Sequence, residues 1–305
     1  MFLIFLSCAT SPKAGAVKGD GSPDFSVLPA GAEVYLWADV ERARPILEAL
    51  SFAGLEGKNA SQVLERTDTA VAALYGEGAP RRFFMAGWGK YPNLRAGFSM
   101  GLSRDWKKIK SETGSRYWYS KSNNLGVALG SDLAFASDGD PFFNGAHSTE
   151  APLGFEKFRR SSVLSLWLNE PAVPLNRFMD NLGIPIQIPA EDLFLGAVRI
   201  PANATSTNVS SPNEGFPNEG SPNLWELVFR IKTQSVNQAR SLLTIFSMAR
   251  YFVQQTPNAE IPMEIAALLF ANPPELEGEF LTIRTPPLSE GRIALLLQLF
   301  TLYSN

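Results

Sequence analysis

Three residues have the types and the chain order of a serine hydrolase triad. Ser99 lies in Gly97-Phe-Ser-Met-Gly101, a G-x-S-x-G pattern that can place a serine nucleophile on a sharp turn between a strand and a helix. Asp140 and His147 follow as the acid and the base. They follow too closely to come from later strands of a doubly wound sheet, and the upstream glycines of an oxyanion loop are missing. A serine hydrolase is therefore the least favoured function for this sequence.

The sequence offers no convincing metal site. Asp138-Gly-Asp140 begins like a calcium loop, but the later acidic ligands and the closing glutamate are absent, so a turn between strands is the better interpretation. His147 and Cys8 are the only histidine and the only cysteine, which excludes a Cys/His zinc site within one chain and any internal disulfide. We expect no metal, no cofactor and no enzymatic activity.

Cys8 is the best candidate for covalent modification. Within the predicted signal at residues 1–7, a short apolar run, Phe2 to Leu6, is followed by the small residue Ser7, directly before this cysteine. The run is shorter than the apolar core of an export signal, about 7–15 residues, and no basic residue precedes it. We therefore expect a truncated signal whose true start lies upstream. Residues 8–26, rich in Ser, Pro, Gly, Ala and Asp, predict a flexible tether, and the alternative is a buried cysteine in a short strand.

The body of the chain is predicted to be α+β, with two related units at 27–150 and 151–305. Each unit opens with a strand, a capping residue and a helix, and Trp37 and Asp39 of the first correspond to Trp167 and Asn169 of the second. Each is expected to be a mostly antiparallel sheet with packed helices. Two ordinary β–α units that share a tryptophan by chance are the alternative. Residues 202–223 are polar and of low complexity, which predicts a surface loop.

Periodicity and turn residues predict the elements within each unit. For the first unit they predict strands at Thr69–Tyr75, Arg82–Trp88, Leu94–Met100, Arg116–Ser120, Leu125–Leu129 and Asp132–Ser137, with a charged helix from Ser103 through Ile109. For the second they predict strands at Leu193–Ile200, Leu224–Lys232 and Glu279–Arg284, with helices at Val236–Gln255 and Gly291–Tyr303.

Aromatic and basic residues are concentrated in the first unit. Tyr117-Trp118-Tyr119 lies near Trp106, and alternation along a strand sends Trp118 to the face opposite its two neighbours. Lys107, Lys108 and Lys110 are interpreted as the wet face of an amphipathic helix. Because lysine beside tryptophan suits the headgroup boundary of a bilayer, contact with lipid phosphates is the alternative.

The C-terminal helices are unusually apolar, and two interpretations remain open for them. They form a layer over the second sheet, or they line a groove or enter a membrane, since they are short of polar residues on some turns. The predicted lipid-contacting residues are Leu242, Ile245, Phe246, Phe252, Leu268, Leu269, Phe270, Leu296 and Phe300.

Charge and hydropathy exclude two other classes of protein. The 305-residue chain has a net charge of −3 and a pI of about 5.4, without a dense basic stripe, so nucleic acid is not an expected partner. No stretch approaches the roughly 20 apolar residues of a membrane-spanning helix.

The motif Phe5-Leu-Ser-Cys8 resembles the lipobox of bacterial lipoproteins, and Phe5 fits the relaxed form found in spirochaetes. In its layout, the chain is similar to a treponemal outer-membrane lipoprotein that inserts amphipathic helices into the inner face of the outer membrane. The resemblance implies a non-enzymatic envelope protein that faces the periplasm, acylated at Cys8 with palmitate or a similar chain and bound to lipid through apolar helices. The alternative is a periplasmic scaffold or inhibitor-like module that binds a protein partner.

Overall fold

The computed structural model describes residues 25–50, 63–76, 82–142, 154–172, 176, 187–201, 224–255, 267–269 and 271–303. In chain order the elements are β1 Val34–Asp39, α1 Val40–Ala49, β2 Thr67–Leu74, β3 Phe83–Gly89, α2 Asn93–Leu102, β4 Trp106–Lys110, β5 Arg116–Ser120, β6 Leu125–Leu129, β7 Leu133–Ser137, α3 Phe155–Arg160, β8 Leu164–Asn169, β9 Asp192–Ile200, β10 Leu224–Lys232, α4 Val236–Gln255, β11 Glu275–Glu277, β12 Phe280–Arg284 and α5 Glu290–Tyr303. Antiparallel pairing with packed helices confirms the α+β class.

The first compact unit comprises residues 1–32 and 62–151. Its strands follow the order β2-β3-β7-β6-β5-β4, and each neighbouring pair is antiparallel. One sheet face is buried, with Phe84, Ser137 and Tyr117 among its side chains. The other face is only half-buried and carries Trp118, directly opposite Val127 on the next strand.

Two predicted elements of this unit are wrong: one predicted strand is a helix, and one predicted helix is a strand. The predicted strand at Leu94–Met100 is helix α2, and the predicted charged helix after Ser103 is strand β4. Gly97 and Gly101 lower the intrinsic helix propensity of α2, but their spacing of one turn lets the helix approach the sheet closely. β4 forms because its backbone pairs along its whole length with β5, which overrides any helical charge pattern.

The second compact unit comprises residues 33–61 and 152–305, with strands in the order β11-β12-β10-β9-β8-β1. One row across this sheet is wholly apolar and shows how its core forms. It runs through directly opposed residues in successive strands: Leu36, Leu166, Leu195, Phe229 and Ile283. Since opposed residues share a face, the row creates an apolar surface that α1, α4 and α5 cover.

The strand–cap–helix opening predicted for this region is present at β1 and α1. Asp39 accepts a hydrogen bond from the backbone N–H of Arg42 at 3.1 Å, as an N-cap should. β1 pairs antiparallel with β8 around the Leu36–Leu166 pair, and Trp37 and Trp167 each lie one residue beyond it. That arrangement suits a local two-fold axis. The duplication itself stays a prediction, and the described residues 33–50 belong to the second compact unit.

The opposite face of the second sheet contains a buried cation. Arg159 of α3 is 6% exposed, and its guanidinium lies 4.7 Å from the ring of Trp37. It also forms an ion pair with Glu156 at 2.8 Å. Stacking on an indole together with a charged partner compensates for the loss of water around the guanidinium.

Several sequence predictions fall on residues outside the described part of the chain. These are the signal at 1–7, Cys8, most of the tether, His147 and the loop at 202–223. Phe25, inside the predicted tether, is buried at the start of a short 3-10 helix, Phe25–Val27.

Candidate functional site

Ser99 does not have the geometry of a hydrolase nucleophile. It lies inside α2 with an exposed side chain, whereas a nucleophile elbow places its serine on the turn between a strand and a helix. Asp140 is engaged elsewhere, since its carboxylate accepts hydrogen bonds from the Ser111 hydroxyl and from the backbone N–H of Phe142. The elbow interpretation of Ser99 is therefore wrong.

The Asp138-Gly-Asp140 segment has a structural role. The carboxylate of Asp138 accepts hydrogen bonds from the backbone N–H groups of Arg82 at 2.8 Å and Phe83 at 3.3 Å. Gly139 adopts a φ of +140°, a value that favours glycine. Within the described ranges, no group of three or more His, Cys, Asp or Glu side chains could hold a metal ion.

The C-terminal residues predicted to contact lipid are mostly inside the second unit. Leu242 is fully buried, Phe246, Leu269 and Leu296 are at most 8% exposed, and Ile245 and Leu268 are half-buried. The side chains of Phe252, Phe270 and Phe300 lie outside the described residues. In this conformation the described residues pack as the helical layer that the alternative interpretation expects. Lipid contact through them stays a prediction and would require these helices to separate from the sheet.

The most exposed large apolar side chains of the described residues lie on α2. Phe98 is 70% exposed and Leu102 is 72% exposed. They are four residues apart, so they project from the same side of the helix, one turn from each other. Together they form an exposed apolar patch, and contiguous apolar patches can mark binding surfaces.

The side of α2 that lies about 100° around the helix from Phe98 and Leu102 rests on an indole ring. A Cβ atom at Gly97 would lie 3.8 Å from Cζ2 and Nε1 of Trp118, and one at Gly101 would lie 3.3 Å from its Cη2. Only glycine allows so close an approach of the helix backbone at Gly101 without a shift of the ring. The two glycines therefore bring the backbone of α2 against Trp118, while Phe98 and Leu102 project about 100° further around the helix, into solvent.

Tyr91 fixes the chain where it enters α2. Its hydroxyl lies 3.0 Å from Oγ1 of Thr67, and its backbone N–H donates to the carbonyl of Ser131 at 2.9 Å. Burial raises the pKa of the Tyr91 phenol above its ordinary value, against a smaller lowering effect of the hydrogen bond with Thr67. These contacts hold the start of the helix against the half-buried sheet face.

Basic and aromatic side chains share the sheet face on which α2 lies. Lys108 is directly opposite Trp118, and its Nζ lies 5.6 Å from the centre of that ring. Trp106 and Lys110 lie two residues before and two residues after Lys108, so they share its face of the sheet. Arg116 is opposite Lys110. We call α2 and these five residues (Trp106, Lys108, Lys110, Arg116 and Trp118) the α2 surface.

Lys107 lies on the other face of β4 from Lys108 and Lys110. It is opposite Tyr119 and therefore points to the other side of the sheet. The sequence pattern predicted all three lysines on one face of a helix, whereas the structure places Lys107 on the opposite face of a strand from Lys108 and Lys110. The sequence prediction also missed the exposed pair on α2, although the four-residue spacing of Phe98 and Leu102 beside two equally spaced glycines is a helical signal.

These features define a class of fold: an α+β protein built on antiparallel sheets, with one helix that presents apolar side chains beside cations. Within the described residues, no helix is both long enough and apolar enough to cross a membrane. No protein-family model matches the sequence, and no curated protein matches it.

Solved structures of TP0453, a Treponema protein, share this fold. Crystal form I superposes with a TM-score of 0.57 over 92% of this chain and 99% of that one, at 15% sequence identity. Crystal form III gives 0.56 at 17% identity over 90% and 98% of the two chains, and crystal form IV gives 0.53 at 17% over 92% and 99%. At such low identity the likeness establishes the common fold.

Proposed function

We propose that this protein is a non-enzymatic, lipid-anchored protein of the cell envelope that associates with a membrane through the α2 surface. The observation that carries the proposal is the exposure of Phe98 and Leu102 on a helix whose adjacent side packs on Trp118 of the sheet. The fold shared with a Treponema protein and the lipobox-like motif at Cys8 support it. The expected location is the periplasmic face of the outer membrane.

The anchor and the α2 surface have different tasks. Full burial of a leucine or phenylalanine side chain is worth about 1.5–3 kcal/mol, so the exposed parts of Phe98 and Leu102 would contribute about 1–2 kcal/mol each. That is enough for reversible contact but too little for permanent attachment. Acyl chains on Cys8 would supply attachment, because several chains hold a protein far more firmly than one. The α2 surface would then orient the body against the bilayer.

Flotation with vesicles tests the contact independently of the anchor. The Cys8→Ala protein should float with vesicles of phosphatidylcholine and phosphatidylglycerol, and the added changes Phe98→Ser and Leu102→Ser should weaken flotation by about 30-fold or more. Met248→Ser is the matched control, since Met248 is 56% exposed on α4 and outside the α2 surface. Equal loss in the control would contradict the assignment of α2. Absence of flotation by the Cys8→Ala parent would refute membrane association and favour the protein-interaction scaffold.

Acylation of Cys8 requires its own experiment. Cells that express the full-length gene would be labelled with radioactive palmitate, and the wild type would be compared with Cys8→Ala. Label should appear in the wild type alone, because the thiol is the acylated group. Label of equal strength in the variant would contradict the anchor without bearing on the α2 surface.

A further inference from the structure

The α2 surface carries unpaired positive charge on an acidic protein. Lys108 and Lys110 are exposed on β4, and Arg116 is exposed on β5. In the described part of the chain, no ion pair engages any of these three cations. Yet the whole protein has a net charge of −3. Attraction of the molecule to an anion must therefore be local to such a surface, since the overall charge opposes it.

The acidic groups of the same segment are outnumbered, because residues 104–121 contain six Lys or Arg side chains and two acidic ones, Asp105 and Glu112. Asp105 accepts hydrogen bonds from the hydroxyl of Ser120 and from the backbone N–H of Ser122, which lower the pKa of its carboxyl. Asp140 is held by Ser111. Glu112 is exposed in the turn after β4.

We propose that the α2 surface selects anionic phospholipids, with Lys108, Lys110 and Arg116 in contact with headgroup phosphates. This inference rests on the proposed membrane association and specifies its lipid partner. Phe98 and Leu102 would enter the acyl boundary while the cations remain at headgroup level, as amphipathic lysine and arginine side chains do at interfaces. Trp106 and Trp118 lie on the same face, and indole rings favour that depth of the bilayer.

The combination of charge with apolar exposure distinguishes a bilayer from other anionic partners. A free phosphate or a polyanion would use the cations but would leave Phe98 and Leu102 in water. A bilayer that contains anionic lipid satisfies both groups at once. The stack of Lys108 on Trp118 keeps the ammonium beside the indole at the edge of α2, where a headgroup would lie.

Binding to vesicles with and without anionic lipid distinguishes selectivity for anionic lipid from membrane association in general. The Cys8→Ala protein should bind vesicles that contain phosphatidylglycerol about 100-fold more tightly than pure phosphatidylcholine, because each basic residue near an anionic surface contributes about fivefold. Lys108→Gln with Lys110→Gln should lose about 25-fold on phosphatidylglycerol vesicles and leave phosphatidylcholine binding unchanged. Lys108→Arg with Lys110→Arg should retain the parent's selectivity.

Lys107→Gln is the matched control for Lys108→Gln. Both changes remove one charge from the same strand, but Lys107 lies on the opposite face and should alter binding less than twofold. Equal losses in the two single variants, or equal binding of the parent to the two kinds of vesicle, would overturn the selectivity while leaving membrane association intact. A parent that binds neither vesicle would refute the proposed function itself. Unchanged urea unfolding of each variant would show that it is folded.

Discussion

Leu242→Ala tests whether the apolar C-terminal helices belong to the core. Leu242 is 0% exposed in α4, a helix that lies over the second sheet. Truncation of a fully buried leucine removes its transfer free energy and leaves a cavity, which together destabilise a protein by about 2–5 kcal/mol. We expect a loss in this range in the free energy of unfolding, measured by urea titration with tryptophan fluorescence.

Met248→Ala provides the comparison within the same helix. Met248 is 56% exposed, and methionine and leucine have similar helix propensities, so the two changes differ chiefly in burial. The Met248 variant should change the free energy of unfolding by about 0.5 kcal/mol or less. If Leu242→Ala were equally mild, α4 would not be packed on the sheet. That result would refute the core assignment and favour the interpretation in which these helices serve a lipid surface.

Three further predictions follow from close contacts and from one titrating group. Gly126→Ala should destabilise the first unit by about 1–3 kcal/mol or more, because a Cβ there would lie 1.7 Å from the carbonyl oxygen of Gly139; an unchanged urea midpoint would contradict this contact. Arg159→Lys should cost about 1–3 kcal/mol in urea unfolding through the lost stack on Trp37, and wild-type stability would refute that role. The raised pKa of Tyr91 means that the unfolded chain loses this phenolic proton first, so stability falls as pH rises above 10. Tyr91→Phe should therefore show a shallower alkaline decline in urea unfolding, and an identical decline would exclude the effect.

The sequence predicted elements best where the pattern and the pairing agree. Leu224–Lys232 and Val236–Gln255 match β10 and α4 residue for residue, because one is a continuous strand pattern and the other a long helical pattern without glycine or proline. The region from Asn93 to Lys110 failed since its segments are short and contain glycine or lysine. Their types are decided by contact with Trp118 and by pairing with β5.

The candidate site could be predicted only in part for a related reason. Lysine beside tryptophan was visible in the sequence as a feature of the headgroup boundary, and that observation led to residues of the α2 surface. Exposure was not visible, because Phe98 and Leu242 are equally apolar in a sequence although one is 70% exposed and the other is buried. Which of two apolar helices meets solvent depends on the sheet face that each one covers.

The position of β4 has a consequence for self-association. Among the described residues, β4 ends the strand order of the first unit and pairs only with β5, so one side of its backbone can accept another strand. The proposed membrane anchor would raise the local concentration of the protein, and at high concentration open strand edges can join copies into polymers. Lys107, Lys108 and Lys110 place positive charge on both faces of this edge, and two copies that approached edge to edge would repel. The lysines thus oppose edge-to-edge pairing of two copies through β4.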